Sequence, residues 1–227
     1  MSLNGNREKQ PFVIFTERIL TWFGSNARKF PWRETRDPYR ILVAEMMLQK
    51  TTSKQAEKIF HVFLDKIPSI RDLAEAPVSR IAETITPLGL EHIRANRLKR
   101  LANEIVEKHN GQIPNDKNAM LSLPGVGEYI ANAVLCLAFG EDLPLLDTNE
   151  LRIFERVFGI KSSKRRPRTD RAMWKLAADI IPKGRGREFG LAVLDFASLV
   201  CRAKNPRCAD CPMNDFCLYF GEFRAFG

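Results

Sequence analysis

Apolar residues recur at intervals of three and four along most of this chain. Phe12, Phe15, Ile19, Trp22 and Phe23 share one face of a segment that the spacing predicts as a helix from Pro11 onward. Residues 1–10 are polar and are expected to fray. After an extended connector, Phe30-Pro31-Trp32-Arg33, the run Asp37-Pro38-Tyr39 opens a helix over residues 40–50. That helix is almost wholly apolar at Ile41, Leu42, Val43, Ala44, Met46, Met47 and Leu48, yet it carries Glu45 in its middle. Further helices are expected over residues 56–64, 70–75, 78–85 and 94–110, with breaks at Pro68, Pro77, the turn Pro87-Leu88-Gly89-Leu90, and Gly111. The last of these turns Leu98, Leu101, Ala102 and Ile105 inward and presents Arg94, Arg97, Lys99, Arg100 and Lys108 outward as a solvated basic face. A loop over residues 112–116 leads to one more helix before Ser122, and the pattern continues with helices over residues 130–139, 151–158, 174–181 and 189–200. No segment alternates in strand fashion, so the expected class is all-α.

Composition narrows the field without deciding it. The chain has 227 residues, 44% hydrophobic and 28% charged, a soluble globular mixture with enough length for one large or two small domains. A net charge of +9 and a pI near 9.5 favour an acidic partner through long-range attraction. Six of the cationic residues, Lys161, Lys164, Arg165, Arg166, Arg168 and Arg171, crowd one connector against Asp170 alone, a composition suited to touching phosphates without reading bases. No signal-peptide pattern and no apolar run of membrane-spanning length occur, so an intracellular protein with no membrane partner is expected; a monomer is expected as well.

Three places carry candidate chemistry. In Ser122-Leu123-Pro124-Gly125-Val126-Gly127-Glu128-Tyr129 the two glycines permit a tight turn and leave backbone N–H groups open to an oxyanion, with a helix N-terminus behind them. The segment then closes on Leu145-Leu146-Asp147-Thr148-Asn149, a carboxylate followed by a candidate helix cap, Thr148 or Asn149. Glu45 either lies on a solvent stripe or lines a cleft where desolvation makes it a usable acid. Cys201, Cys208, Cys211 and Cys217, spaced C-x6-C-x2-C-x5-C, favour metal ligation over disulfides in such a chain, and suit either tetrahedral zinc or an iron–sulfur cluster. Cys136, among Val134, Leu135 and Leu137, reads as a buried core thiol, and Asp195 is assigned no chemistry.

The hairpin, the Asp147-Thr148-Asn149 run with Arg152, and the cysteine spacing together resemble the helix-hairpin-helix, or endonuclease III, superfamily of DNA glycosylases, over the stretch from Pro31 to Cys217. Pro31-Trp32-Arg33, Asp37-Pro38-Tyr39 and Glu45-Met46-Met47-Leu48-Gln49 are similar to the mismatch-glycosylase branch, nearest to the Mig-type thymine-DNA glycosylases and next to the MutY-type adenine glycosylases. The resemblance implies two helical subdomains with the active-site cleft between them, a six-helix one over residues 30–140 and a second formed by residues 1–29 plus 141–227 that carries the cysteine loop. It implies a [4Fe–4S] cluster on the four cysteines, with a monovalent cation at the hairpin, and duplex DNA bearing a mismatched or damaged base as partner. Asp147, Tyr129 and Glu45 are the implied catalytic residues; Gln49, Lys50, Leu90, Gly125, Val126 and Gly127 are the implied DNA contacts. Leu90 is either a loop anchor or a wedge at a base step. Tyr129 stands where bifunctional relatives place a lysine, and a phenol cannot form a Schiff base, so a monofunctional enzyme releasing thymine or uracil opposite guanine is expected. Adenine release is the second reading; against it stand Tyr129 and a chain that ends soon after Cys217, where adenine glycosylases continue into a further domain. A non-catalytic, metal-containing DNA-binding module is the third.

Overall fold

The computed structural model describes residues 6–225 and contains, among them, helices and no strand. It divides into two compact units, one formed by Lys29–Gly140 and the other by the residues up to Arg28 together with those from Glu141 on. Among the described residues no helix is long and apolar enough to cross a membrane.

The Lys29–Gly140 unit holds seven α-helices rather than the six expected: α2 (Pro38–Leu48), α3 (Ser53–Lys66), α4 (Ile70–Glu75), α5 (Val78–Ile85), α6 (Glu91–His109), α7 (Lys117–Ser122) and α8 (Glu128–Val134), preceded by α1 (Asn6–Asn26) of the other unit. Helix α2 is its centre: Tyr39 and every residue from Ile41 to Met47 are buried, and α3 and α8 pack against it. Asp37 starts α2 by accepting the N–H of Tyr39 at 2.8 Å. Thr52 and Gln55 start α3 with a reciprocal capping box, so the polar run after α2 includes a helix cap. The expected single helix over residues 130–139 is α-helical only to Val134; Leu135–Phe139 widens into a π-helical turn, closed by Gly140 at φ 82°.

The other unit comprises α1, α9 (Thr148–Phe158), α10 (Arg171–Asp179), α11 (Gly186–Leu199) and α12 (Leu218–Ala225). Helix α1 begins at Asn6, not Pro11, so residues 6–10 are helical; residues 1–5 lie outside the described ones. Pro11 sits near the helix start, where it removes one intrahelical bond without breaking the helix. Phe12, Phe15, Phe158, Phe189 and Phe196 form the aromatic core between α1, α9 and α11, with Phe12 and Phe158 centroids 4.4 Å apart. Asp195 is fully buried in α11 and paired with Arg28, whose Nε lies 2.6 Å from its Oδ1, which fits the absence of assigned chemistry. Asp170 is buried too, capping α10 and accepting from Ser162 at 2.6 Å, so the basic connector is pinned at its end.

Candidate active site and cluster loop

In the Lys29–Gly140 unit, three loop tips that sequence reasoning singled out are tied together by two arginines that it had assigned to a solvated face. Arg94 donates to the carbonyl of Gly89 at 2.9 Å, to the carbonyl of Gln49 at 2.7 Å and to Thr51 Oγ1 at 2.8 Å. Arg97 donates to Gln49 Oε1 at 2.8 Å, and the Gln49 amide reaches the Gly125 carbonyl at 3.4 Å. The expectation of outward, solvated charge therefore fails for Arg94, whose burial and proximity to Arg97 lower its pKa. It fails as well for Lys99, which donates to the carbonyl of Ala76 at 2.9 Å and also to that of Ala74. Helical periodicity tells which way a side chain leaves its own helix, and it is silent on which carbonyls of a neighbouring loop end lie within its reach.

These tips hold strained backbone. Lys50 and Leu90 stand in the left-handed region at φ 57° and 54°, and the Leu90 side chain is 60% exposed, so it does not anchor the loop in the core. At the hairpin only Gly125 has positive φ, 80°, and a Cβ there would lie 2.6 Å from Arg97 Cδ. Gly127 is extended and caps α8, with open space where its side chain would be, so the tight turn requires one glycine rather than two. Val126 is buried between them. Tyr129 is half-buried in the first turn of α8, where Glu128 pairs with Lys117 at 3.3 Å. Glu45 is buried on α2, so the solvent-stripe alternative is excluded.

Asp147 belongs to the other unit and is the N-cap of α9. Its Oδ1 accepts the N–H of Asn149 at 2.7 Å and of Glu150 at 3.0 Å, while the Asn149 amide donates to Oδ2. Such a carboxylate is fixed in orientation by backbone and sits at the positive end of a helix dipole. From Asn149 the bonding continues: Arg152 donates to Asn149 Oδ1 at 3.1 Å, to the Ala197 carbonyl at 3.0 Å and to the Cys201 carbonyl at 3.0 Å. One arginine thus links the cap of α9 to the first cysteine of the loop.

The cysteine loop is braced by further arginines. Arg156 donates to the carbonyls of Arg202 and Ala203 at 2.7 and 3.0 Å and lies 3.7 Å from Cys201 Sγ. Arg18 of α1 donates to the Pro212 carbonyl at 2.7 Å and pairs with Asp215. Cys201, Cys208, Cys211 and Cys217 border one cavity together with Arg156, Pro206 and Tyr219. Yet no three His, Cys, Asp or Glu among the described residues stand close enough to hold a single metal ion. The donor set is thiols alone, which suits either zinc or an iron–sulfur cluster. Burial pushes the Cys211 thiol up to about 12 and raises Cys208 and Cys217 as well.

Comparison with known proteins decides the family. The model of HhH-GPD superfamily base excision DNA repair proteins matches residues 43–179. This chain belongs to the HhH-GPD superfamily. Residues 201–217 of this HhH-GPD protein match the iron-sulfur binding domain of endonuclease III, which makes the cysteine loop an iron–sulfur site. A thymine/uracil-DNA glycosylase of Pyrobaculum aerophilum is 48% identical over 213 residues, 92% of this chain and 93% of that protein. An adenine DNA glycosylase of Buchnera aphidicola is 30% identical over 210 residues, 92% of this chain but 60% of that protein. Among solved structures, a thermostable thymine-DNA glycosylase superposes with a TM-score of 0.91 at 37% identity, covering 96% of this chain and all of that one.

Arg94, Arg97 and Glu150 were not read as site residues from the sequence, and Asn149 and Arg152 only as part of the motif around Asp147. Glu150 had a readable signal. It precedes Ile153 by three and Phe154 by four, which puts it on the buried face of α9, where the structure leaves it 3% exposed.

Proposed function

We propose that this protein is a monofunctional DNA glycosylase that removes thymine or uracil mispaired with guanine from duplex DNA, leaving an abasic site. The observation that carries the reading is the Asp147 carboxylate, held by two backbone N–H groups and the Asn149 amide at the start of α9. Cleavage of an N-glycosidic bond builds positive charge on the deoxyribose, and a carboxylate already oriented stabilises that cation without reorganising at the moment of reaction. Asp147 does this and directs the water that captures the sugar. Glu45 supplies a hydrogen bond or proton to the departing base, and Tyr129 shapes the pocket for the extruded base. A tyrosine lacks the amine needed to attack the sugar and cleave the strand, so strand scission is weak. Gln49 and Lys50 fill the gap left in the duplex, Leu90 wedges the base step, and the hairpin of Gly125, Val126 and Gly127 grips a phosphate, with a monovalent cation as an aid. The protein acts as a monomer.

Cys201, Cys208, Cys211 and Cys217 hold a [4Fe–4S] cluster, which cross-links the loop and fixes it for contact with the DNA backbone. The test is a panel of duplexes bearing T·G, U·G, A·G and A opposite 8-oxoguanine, scored for alkali-revealed abasic sites. Release from T·G and U·G is expected. Release of adenine alone would overturn the substrate assignment in favour of the second reading, which the Buchnera relative supports at lower identity. Release from none would leave a DNA-binding module.

A further inference from the structure

Glu150 is a buried side chain beside Asp147 that the mechanism above leaves unused. It lies three residues into α9, its carboxyl is buried, and its Oε2 has no hydrogen-bond partner. A glutamate at this helix position commonly turns back to bond the N–H of the capping residue, but that reciprocal bond is not made here. Its backbone N–H, however, is one of the two that hold Asp147 Oδ1. We propose that Glu150 is a positioning residue that works in its neutral, protonated form, keeping the first turn of α9 closed so that Asp147 is presented to the sugar, and that excision declines when Glu150 loses its proton.

The surroundings favour the neutral form. A buried carboxylate needs a partner charge or several donors, and a lone one holds its proton instead. Burial, and secondarily the charge of Asp147, push the Glu150 carboxyl up to about 8. Several charged groups among the described residues on and around α9 are engaged elsewhere. Arg152 is spent on Asn149 and two carbonyls, Asp195 on Arg28, Asp170 on Ser162 and the α10 cap, Glu188 on Arg185, and Arg156 on the cysteine loop. A charged Glu150 would repel the Asp147 carboxylate, and water entering the turn would relieve that repulsion. That turn carries the two N–H groups that orient the catalytic carboxylate, so hydration of Glu150 and misplacement of Asp147 are one event.

The proposal rests on the reading of Asp147 given above, and the experiment has one arm that does not. Single-turnover release of thymine from a T·G duplex is measured from pH 6 to 9.5 for the wild type and for Glu150→Gln, which cannot lose a proton. The wild-type rate should fall about tenfold between pH 7 and pH 9, as one group near 8 dictates, and the variant should lack this fall. An identical fall in both, or in neither, overturns the proposal. The second arm is infrared difference spectroscopy of the wild-type protein without DNA. A protonated-carboxyl band should persist at pH 7, vanish by pH 9, and be missing from Glu150→Gln; its absence from the wild type at pH 7 overturns the proposal even if the variant fails to fold. Should no duplex be processed at any pH while the band behaves as described, the functional reading fails and the neutral state of Glu150 stands.

Stability gives a third readout. The unfolded chain releases this proton near the ordinary value of 4.5, whereas the folded chain keeps it to about 8. Between those values the folded state binds more protons, so stability falls as pH rises, and a urea midpoint that drops from pH 6 to pH 9 in the wild type should drop less in Glu150→Gln.

Discussion

In the hairpin unit, Arg94 and Arg97 bind carbonyl and amide oxygens of loops that also have buried anchors, Leu88, Leu123 and Val126. In the cysteine loop, Arg18, Arg152 and Arg156 likewise bind backbone carbonyls, but apart from the buried Met213 and from Phe216, whose ring meets Phe158, the loop turns mainly thiols to the interior. Both regions pin irregular backbone with arginines. They differ in what completes the packing: side chains in the first, metal in the second. The hairpin should therefore survive loss of the cluster, while Asp147, joined to Cys201 through Asn149 and Arg152, should not keep its orientation.

Cys211→Ala or removal of iron is the most severe way to break this contrast. Excision should fall by about 100-fold, with the visible absorption of the cluster lost. Limited proteolysis should cut the region after Cys201 and spare the Lys29–Gly140 unit; equal cleavage of both would refute the difference. Arg152→Ala sharpens it by cutting the link alone. A rate loss of about tenfold with iron content unchanged is expected, since a small misplacement of a reacting group already costs this much. Gly125→Ala probes the other side. Left-handed backbone without glycine costs about 1–2 kcal/mol, and the added methyl collides with Arg97, so urea unfolding should detect a loss of that order with the cluster intact. Leu90→Ala should have the smallest effect on stability, within about 0.5 kcal/mol for so exposed a side chain, while reducing excision if the wedge assignment holds.

The same contrast marks what could be read from the sequence. Helix class and most helices follow from spacing, and the hairpin and the four cysteines are local patterns whose chemistry is written in consecutive residues. Arg94 and Lys99 looked solvated because amphipathic spacing carries no information about partners on distant loops. The Asn149–Arg152 pair was readable as neighbours three apart on one helix face, but the Cys201 carbonyl that gives it meaning is remote in the chain. Gly127 was over-read, since only the φ of Gly125 requires a glycine. Glu150 was passed over because a charged residue in a helix is ordinarily taken as solvated; its apolar neighbours at three and four residues said otherwise.

The central claim is that the charge of Asp147, and not merely its shape, drives excision. Asp147→Asn keeps a residue able to cap α9 and removes the charge. Its single-turnover rate on a T·G duplex should fall by about 100- to 1000-fold with DNA affinity unchanged. A rate equal to that of the wild type, with binding intact, would contradict the account.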